Sequence, residues 1–120
     1  MICLTIIVLF FGLIDMRTAA RSTPREILVS QTIEKSNSLI DTKIYKVKEG
    51  LNAFELLQLD HNVNSTYFNG LGYFVNAIDN VFPEANQYWQ FLVNNKPSKV
   101  GSSSYKLKVR DLVRWKISSY

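Results

Sequence analysis

From Gly72 to Ile117 the chain changes character every few residues, and this limits what it can build. Tyr105, Leu107 and Val109 alternate with Lys106, Lys108 and Arg110, and Val113, Trp115 and Ile117 alternate with Arg114 and Lys116. A period of two reads as half-buried strands with a basic outer face. Tyr73 to Ile78 reads as another strand, and Tyr88 to Val93 as a fourth, apolar on both sides apart from Gln90. A strand of that kind belongs in the middle of a sheet or under cover on both faces. Asp79-Asn80 and Asn94-Asn95-Lys96-Pro97 supply turns, since Asn tolerates positive φ.

The first half supplies two more strands and one helix. Ile27, Val29, Gln31 and Ile33 fall on one side of a strand, Ser36-Asn37-Ser38 is a turn, and Leu39 to Val47 returns with Ile40, Thr42 and Ile44 on one face. The pair reads as a hairpin. Asn52 followed by Glu55 is a capping box, and Ala53, Leu56 and Leu57 share one face of a short helix ending near Asp60. Asp60 to Thr66 is polar and reads as a surface loop. Two strands, a helix and further strands imply an α+β fold: a β-grasp-like mixed sheet with one short helix packed on a face, forming a single small domain over 27–118.

The N-terminus reads as an address. Leu4 to Leu13 is an apolar run, too short for the roughly 20 residues a membrane span needs. Thr18-Ala19-Ala20 then offers the small residues of a signal-peptide cleavage site. A signal peptide over 1–20 is expected, then a flexible lead over 21–26, a secreted extracellular product, and no integral membrane segment after cleavage. Cys3, the single cysteine, would leave with the leader, so packing rather than disulfides must hold the domain. Asn64-Ser65-Thr66 is an N-glycosylation sequon and marks Asn64 as a glycan acceptor in a secreted chain.

Catalytic chemistry has little to stand on. The mature chain has one His, His61, and no Cys; it shows no Gly-x-Ser-x-Gly elbow, zinc helix or phosphate loop. Neither an enzyme nor a metal site is expected. Two constellations bear on binding. Seven cations lie between Lys96 and Lys116, opposed only by Asp111. They read either as a contact for an anionic partner or as a solvated face guarding an edge strand; the modest net charge of +4 and the leader speak against nucleic acid. Tyr88-Trp89-Gln90-Phe91-Leu92 reads either as a central core strand or as flat apolar surface for clasping a large ligand, with Gln90 free to bond a ligand amide.

Taken in order, Gly72–Asn80, Tyr88–Asn95, Gly101–Tyr105 and Arg110–Trp115 resemble the C-terminal β domain of the transcobalamin and intrinsic-factor family. Tyr88-Trp89-Gln90-Phe91-Leu92 is similar to the Tyr-Trp-Gln-Leu-Leu stretch of cobalamin carriers, and Gly101 to Tyr105 to their glycine, spacer and tyrosine. The same module occurs as a domain of unknown function in secreted and surface proteins. In the carriers, a helical barrel and this domain enclose a corrinoid. The resemblance therefore implies a non-catalytic ligand-binding module for cobalamin or a related corrinoid, held without a covalent bond. Its implied contacts are Trp89, Gln90, Phe91, Leu92, Asn94 and Gly101. No counterpart of the barrel stands in the sequence, so the wall would be completed by a secreted helical-barrel partner or by a homodimer. Arg110 stands where the family often has glycine, at a turn. The other outcome of the same fold is an extracellular protein-interaction module without a corrinoid.

Overall fold

The computed structural model describes residues 25–120; the expected leader and most of the expected flexible lead lie outside them. Strand β1 (Glu26–Glu34) pairs antiparallel with β2 (Ile40–Lys48), and helix α1 (Ala53–Asp60) follows. Then come β3 (Val63–Phe68), β4 (Gly72–Ile78), β5 (Gln87–Val93), the two-residue β6 (Lys96–Pro97) and β7 (Leu112–Ser119). The main sheet has the order β2-β1-β7-β5-β6, with β7 parallel to β1 and antiparallel to β5. β3 and β4 form a separate two-stranded sheet. Among the described residues the class is α+β, mostly sheet with one short helix.

The period of two decides which side of the main sheet is wet. Ile27, Val29, Gln31 and Ile33 are all buried, as are Tyr45 and Val47 across from them on β2. Val113 and Trp115 of β7 and Trp89 of β5 continue the same face. Helix α1 covers it with Ala53, Phe54, Leu56 and Leu57, and Val75 and Ile78 of β4 close the core. The helix begins where expected: Asn52 Oδ1 accepts from the Glu55 N–H at 2.7 Å, and Glu55 Oε1 accepts from the Asn52 N–H at 3.3 Å. Both turns placed on asparagines use left-handed backbone, with φ of 49° and 64° at Asp79 and Asn80 and of 53° and 67° at Asn94 and Asn95. Paired positive φ values twist in the sense the flanking strands need.

Four expectations are corrected. Asp60 to Thr66 is not one surface loop, because β3 starts at Val63 and pairs with β4 from Ile78 back to Gly72. Its alternation is hidden in the sequence by Asn64, Ser65 and Thr66, short polar residues that suit a strand with one wet face. Tyr105 to Arg110 is not a sheet strand. It runs beside the start of α1, where the Ala53 N–H donates to Tyr105 O and the Leu107 N–H to Leu51 O, and only Asn52 and Lys106 form a bridge. The seven C-terminal cations accordingly do not share a face. Arg114 and Lys116 lie on the sheet face away from α1, whereas Lys99, Lys106, Lys108 and Arg110 sit on loops and Lys96 on β6. β1 also begins at Glu26, inside the expected lead, and Arg25 pairs with Glu49 at 2.8 Å.

Arg110 takes φ of 63°, the conformation glycine adopts without strain. Arg110→Gly is expected to raise the stability by about 0.5–1 kcal/mol, read from the urea midpoint at constant slope.

Asp79 ties three elements together. Its Oδ2 accepts from His61 Nδ1 at 2.7 Å and from Lys35 Nζ at 3.0 Å, and its Oδ1 from the Asn62 N–H at 2.9 Å. Burial is the largest single influence and pushes this carboxyl up; the bonds from His61, Lys35 and Asn62 together outweigh it and hold the group down at about 2, against an ordinary 3.8. A carboxyl depressed on folding stabilises the protein above its unfolded value and loses that contribution as pH falls through its folded value. Stability is therefore expected to drop by about 1–2 kcal/mol between roughly pH 4 and pH 2 through this group, allowing for its partial exposure. Asp79→Asn should flatten that part of the curve in pH-dependent urea melts.

Candidate functional site

The six residues that the family resemblance implicates lie on two turns and on both sides of one strand. Trp89 and Phe91 point to the α1 side of β5. Trp89 is only 3 % exposed and its Nε1–H donates to Val81 O at 3.1 Å; Phe91 stacks on Trp115 at 5.0 Å and meets Tyr105 edge-on at 6.1 Å. Gln90 and Leu92 point the other way. Gln90 Oε1 accepts from Ser118 Oγ at 2.9 Å, and Leu92 is buried opposite Pro97. Strand alternation thus prevents Trp89, Gln90, Phe91 and Leu92 from forming one continuous wall.

Asn94 is exposed at the β5–β6 turn, but its side chain is committed. Its Nδ2–H donates to Asp111 Oδ1 at 3.2 Å and its Oδ1 accepts from the Leu112 N–H at 2.9 Å. Asp111, only 4 % exposed, also accepts from Tyr105 Oη at 2.7 Å and from the Lys108 N–H at 2.9 Å. Burial first, and then the Asp111 carboxylate, push the Tyr105 hydroxyl up to about 12, so it stays a donor at all ordinary pH. This cluster fixes both ends of the loop from Lys96 to Asp111.

Gly101 is where the resemblance and an exposed surface coincide. The loop carrying it is clamped on two sides. On one side the Phe54 N–H donates to Ser102 O at 3.1 Å, at the first turn of α1. On the other, Ser103 Oγ accepts from the Tyr73 N–H at 3.2 Å, and a Cβ at Gly72 would collide with that same hydroxyl. Gly72 has φ of 93°, so both its backbone and its empty side-chain position are needed. A Cβ on Gly101 would touch Leu71 O at 3.6 Å. The β3–β4 tip and the Gly101 loop are therefore clamped into one edge, with Phe68, Leu71 and Tyr73 exposed on the tip and Val100 exposed beside Gly101. Tyr73 is held by stacking on Phe54 at 4.8 Å and by Tyr67 at 5.1 Å. Exposed apolar residues gathered on such an edge offer area that an apolar ligand or partner can cover.

Sequence reading missed Tyr67, Phe68, Leu71 and Tyr73. The signal was present in the run Tyr67-Phe68-Asn69-Gly70-Leu71-Gly72-Tyr73-Phe74, a hairpin with apolar residues on both faces. A two-stranded sheet can bury only one of them.

A second exposed apolar group lies on the main sheet away from α1. Ser30 pairs with Ile44 on one side and with Leu112 on the other, and Leu28 is the next residue on that face. Leu28, Ile44 and Leu112 are all exposed. Among the described residues no three His, Cys, Asp or Glu side chains gather as a metal site, and no helix is long and apolar enough to cross a membrane.

Fold and edge together define a small sheet domain whose loops and hairpin tip meet along one edge. The chain belongs to the family described as Domain of unknown function (DUF4430), which matches residues 50–119. Among solved structures it is similar to haptocorrin in complex with Cbi, with a TM-score of 0.71 at 15% identity over 81% of this chain and 26% of that one. It is also similar to a protein of Ruminococcus gnavus provisionally named as metal binding, with a TM-score of 0.67 at 11% identity over 79% of this chain and 99% of that one. The chain thus matches about a quarter of the length of haptocorrin and nearly all of the bacterial protein. At these identities the likeness is one of fold. No curated protein matches it in sequence.

Proposed function

We propose that this chain is a secreted, non-catalytic ligand-binding module whose ligand is cobalamin or a related corrinoid. The observation that carries the reading is the clamped, exposed edge at Gly101, Leu71 and Tyr73, on a fold shared with haptocorrin, itself solved with Cbi. The corrinoid rests on Leu71, Tyr73, Val100 and the Gly101 backbone. Asn94 and Phe91 act behind them, as the turn and the ring that fix the loop. The strand order, with β1 and β7 parallel at the centre and hairpins at both flanks, favours the β-grasp description of the scaffold. A lone edge buries one side of so large a ligand, so affinity rises when a second protein or a second copy covers the other.

One observation favours a second reading, the protein-interaction module. The Leu28, Ile44 and Leu112 patch is flanked on its own face by Lys46, Lys48, Arg114 and Lys116. Such a surface fits a partner with an apolar centre and an acidic rim. The two readings separate by mutation. Leu71→Asp should abolish cobalamin-induced quenching of Trp fluorescence in a folded protein, whereas Ile44→Asp should leave it intact. Loss with Ile44→Asp and none with Leu71→Asp would overturn the placement.

A further inference from the structure

We propose that a glycan on Asn64 lies along an aromatic cleft beside it and shields that cleft from water. The inference rests on the reading that the chain is secreted, and it is independent of the corrinoid. On β4, Asn76 Nδ2 donates both to Asn64 Oδ1 at 3.0 Å and to Thr66 Oγ1 at 2.8 Å. The acceptor asparagine and the threonine of its sequon are thus held by one side chain. The bond takes the oxygen of the Asn64 amide and leaves its nitrogen, the atom that carries sugar, free of protein partners among the described residues. Asn76 also lines a cleft of about 220 Å³ together with Phe74, Phe82, Pro83, Tyr88 and Tyr120.

Phe74 pairs directly with Thr66 across the hairpin and is 41 % exposed; Phe82 is 60 % exposed. Tyr88 and Tyr120 stack at 4.8 Å and form the far wall. Exposed aromatic rings on a strand are an association hazard unless something covers them. A sugar ring meets that need: its C–H face packs on aromatic rings while its hydroxyls reach the Asn76 and Gln87 amides and water. Transfer takes place on the unfolded chain. The Asn64 amide nitrogen bonds to the anomeric carbon of a lipid-diphosphate-linked oligosaccharide, the bond from that carbon to the diphosphate oxygen breaks, the lipid diphosphate leaves and the nitrogen loses one proton. Folding then places the first sugar against Phe74.

The test uses the full chain expressed with its own leader in a glycosylating secretory host. Mass spectrometry of the peptide bearing Asn64 should show full occupancy, absent in Asn64→Gln. The acetyl methyl signal of the first sugar should lie upfield of its position in the unfolded glycopeptide, and return on Phe74→Ala. The glycosylated protein should melt about 4 °C above Asn64→Gln, and by under about 1 °C in a Phe74→Ala or Phe82→Ala background. Retention of the chain inside the cell, an unmodified Asn64 in secreted protein, or an equal glycan contribution with and without the rings would each overturn the proposal. Cobalamin titration of unglycosylated protein reports on the edge at Leu71 separately, so the two proposals fail independently.

Discussion

Asp111→Ala is expected to lower the stability by about 3–4 kcal/mol, among the larger losses a single substitution gives. The carboxylate is nearly fully buried and accepts from Tyr105 Oη, Asn94 Nδ2 and the Lys108 N–H. Alanine would leave all three donors of this part-buried cluster without their acceptor at once; a hydrogen bond to a charged group is worth about 1.5–3 kcal/mol, and water can replace only part of it at the exposed Asn94 and Lys108. For a domain of this size the melting temperature should fall by roughly 15 °C. Asp111→Asn keeps the shape but gives up the charge and part of the accepting capacity, so its loss should be about half as large. Calorimetry on the two variants checks the order. A loss under about 1 kcal/mol for Asp111→Ala would mean that the cluster does not fix the loop.

Trp89→Ala should cost about 3–5 kcal/mol, which separates core from ligand wall. An indole on an open face would cost little when truncated. Here the ring is covered by the hairpin and α1, sits across from Ile117 and anchors Val81 through its Nε1–H. Removing it opens a cavity and orphans a carbonyl together. Chemical denaturation gives the number, and at native temperature the surviving folded fraction should still bind whatever ligand the Leu71 edge binds. A variant as stable as the parent but without affinity would restore Trp89 to the site.

Much of the scaffold was legible because each local signal agreed with its neighbours. The alternation of β1, the capping box at Asn52 and Glu55, the paired left-handed asparagines and the β7 pattern each name one structure. The Tyr105–Arg110 stretch alternates equally well, yet it runs past the helix start. Its backbone bonds go to Gly50, Leu51 and Ala53, and only the left-handed Arg110 that ends it reaches β1, at Leu28 O. Periodicity reports which side chains are covered and not what covers them. The same limit governs the site. The resemblance groups Trp89, Gln90, Phe91 and Leu92 as contacts, but a strand deals consecutive residues to opposite faces. Gly101 could be found from sequence. Its contact with Leu71 could not, since it joins residues 30 apart, like the bond between Tyr73 and Ser103. The strand at Val63 was hidden for a further reason: only its pairing with β4 distinguishes Asn-Ser-Thr in a wet strand from Asn-Ser-Thr in a loop.

The measurement that tests the binding account most directly is a cobalamin titration of the purified domain, following Trp fluorescence and the corrinoid absorbance spectrum together. The account predicts saturable quenching with a one-to-one endpoint and a parallel spectral change. Both should be lost in Leu71→Asp while circular dichroism and the melting transition stay unchanged. No saturable change in either signal at high micromolar cobalamin, with the domain folded, would contradict the corrinoid reading and leave the Leu28, Ile44 and Leu112 face as the functional surface.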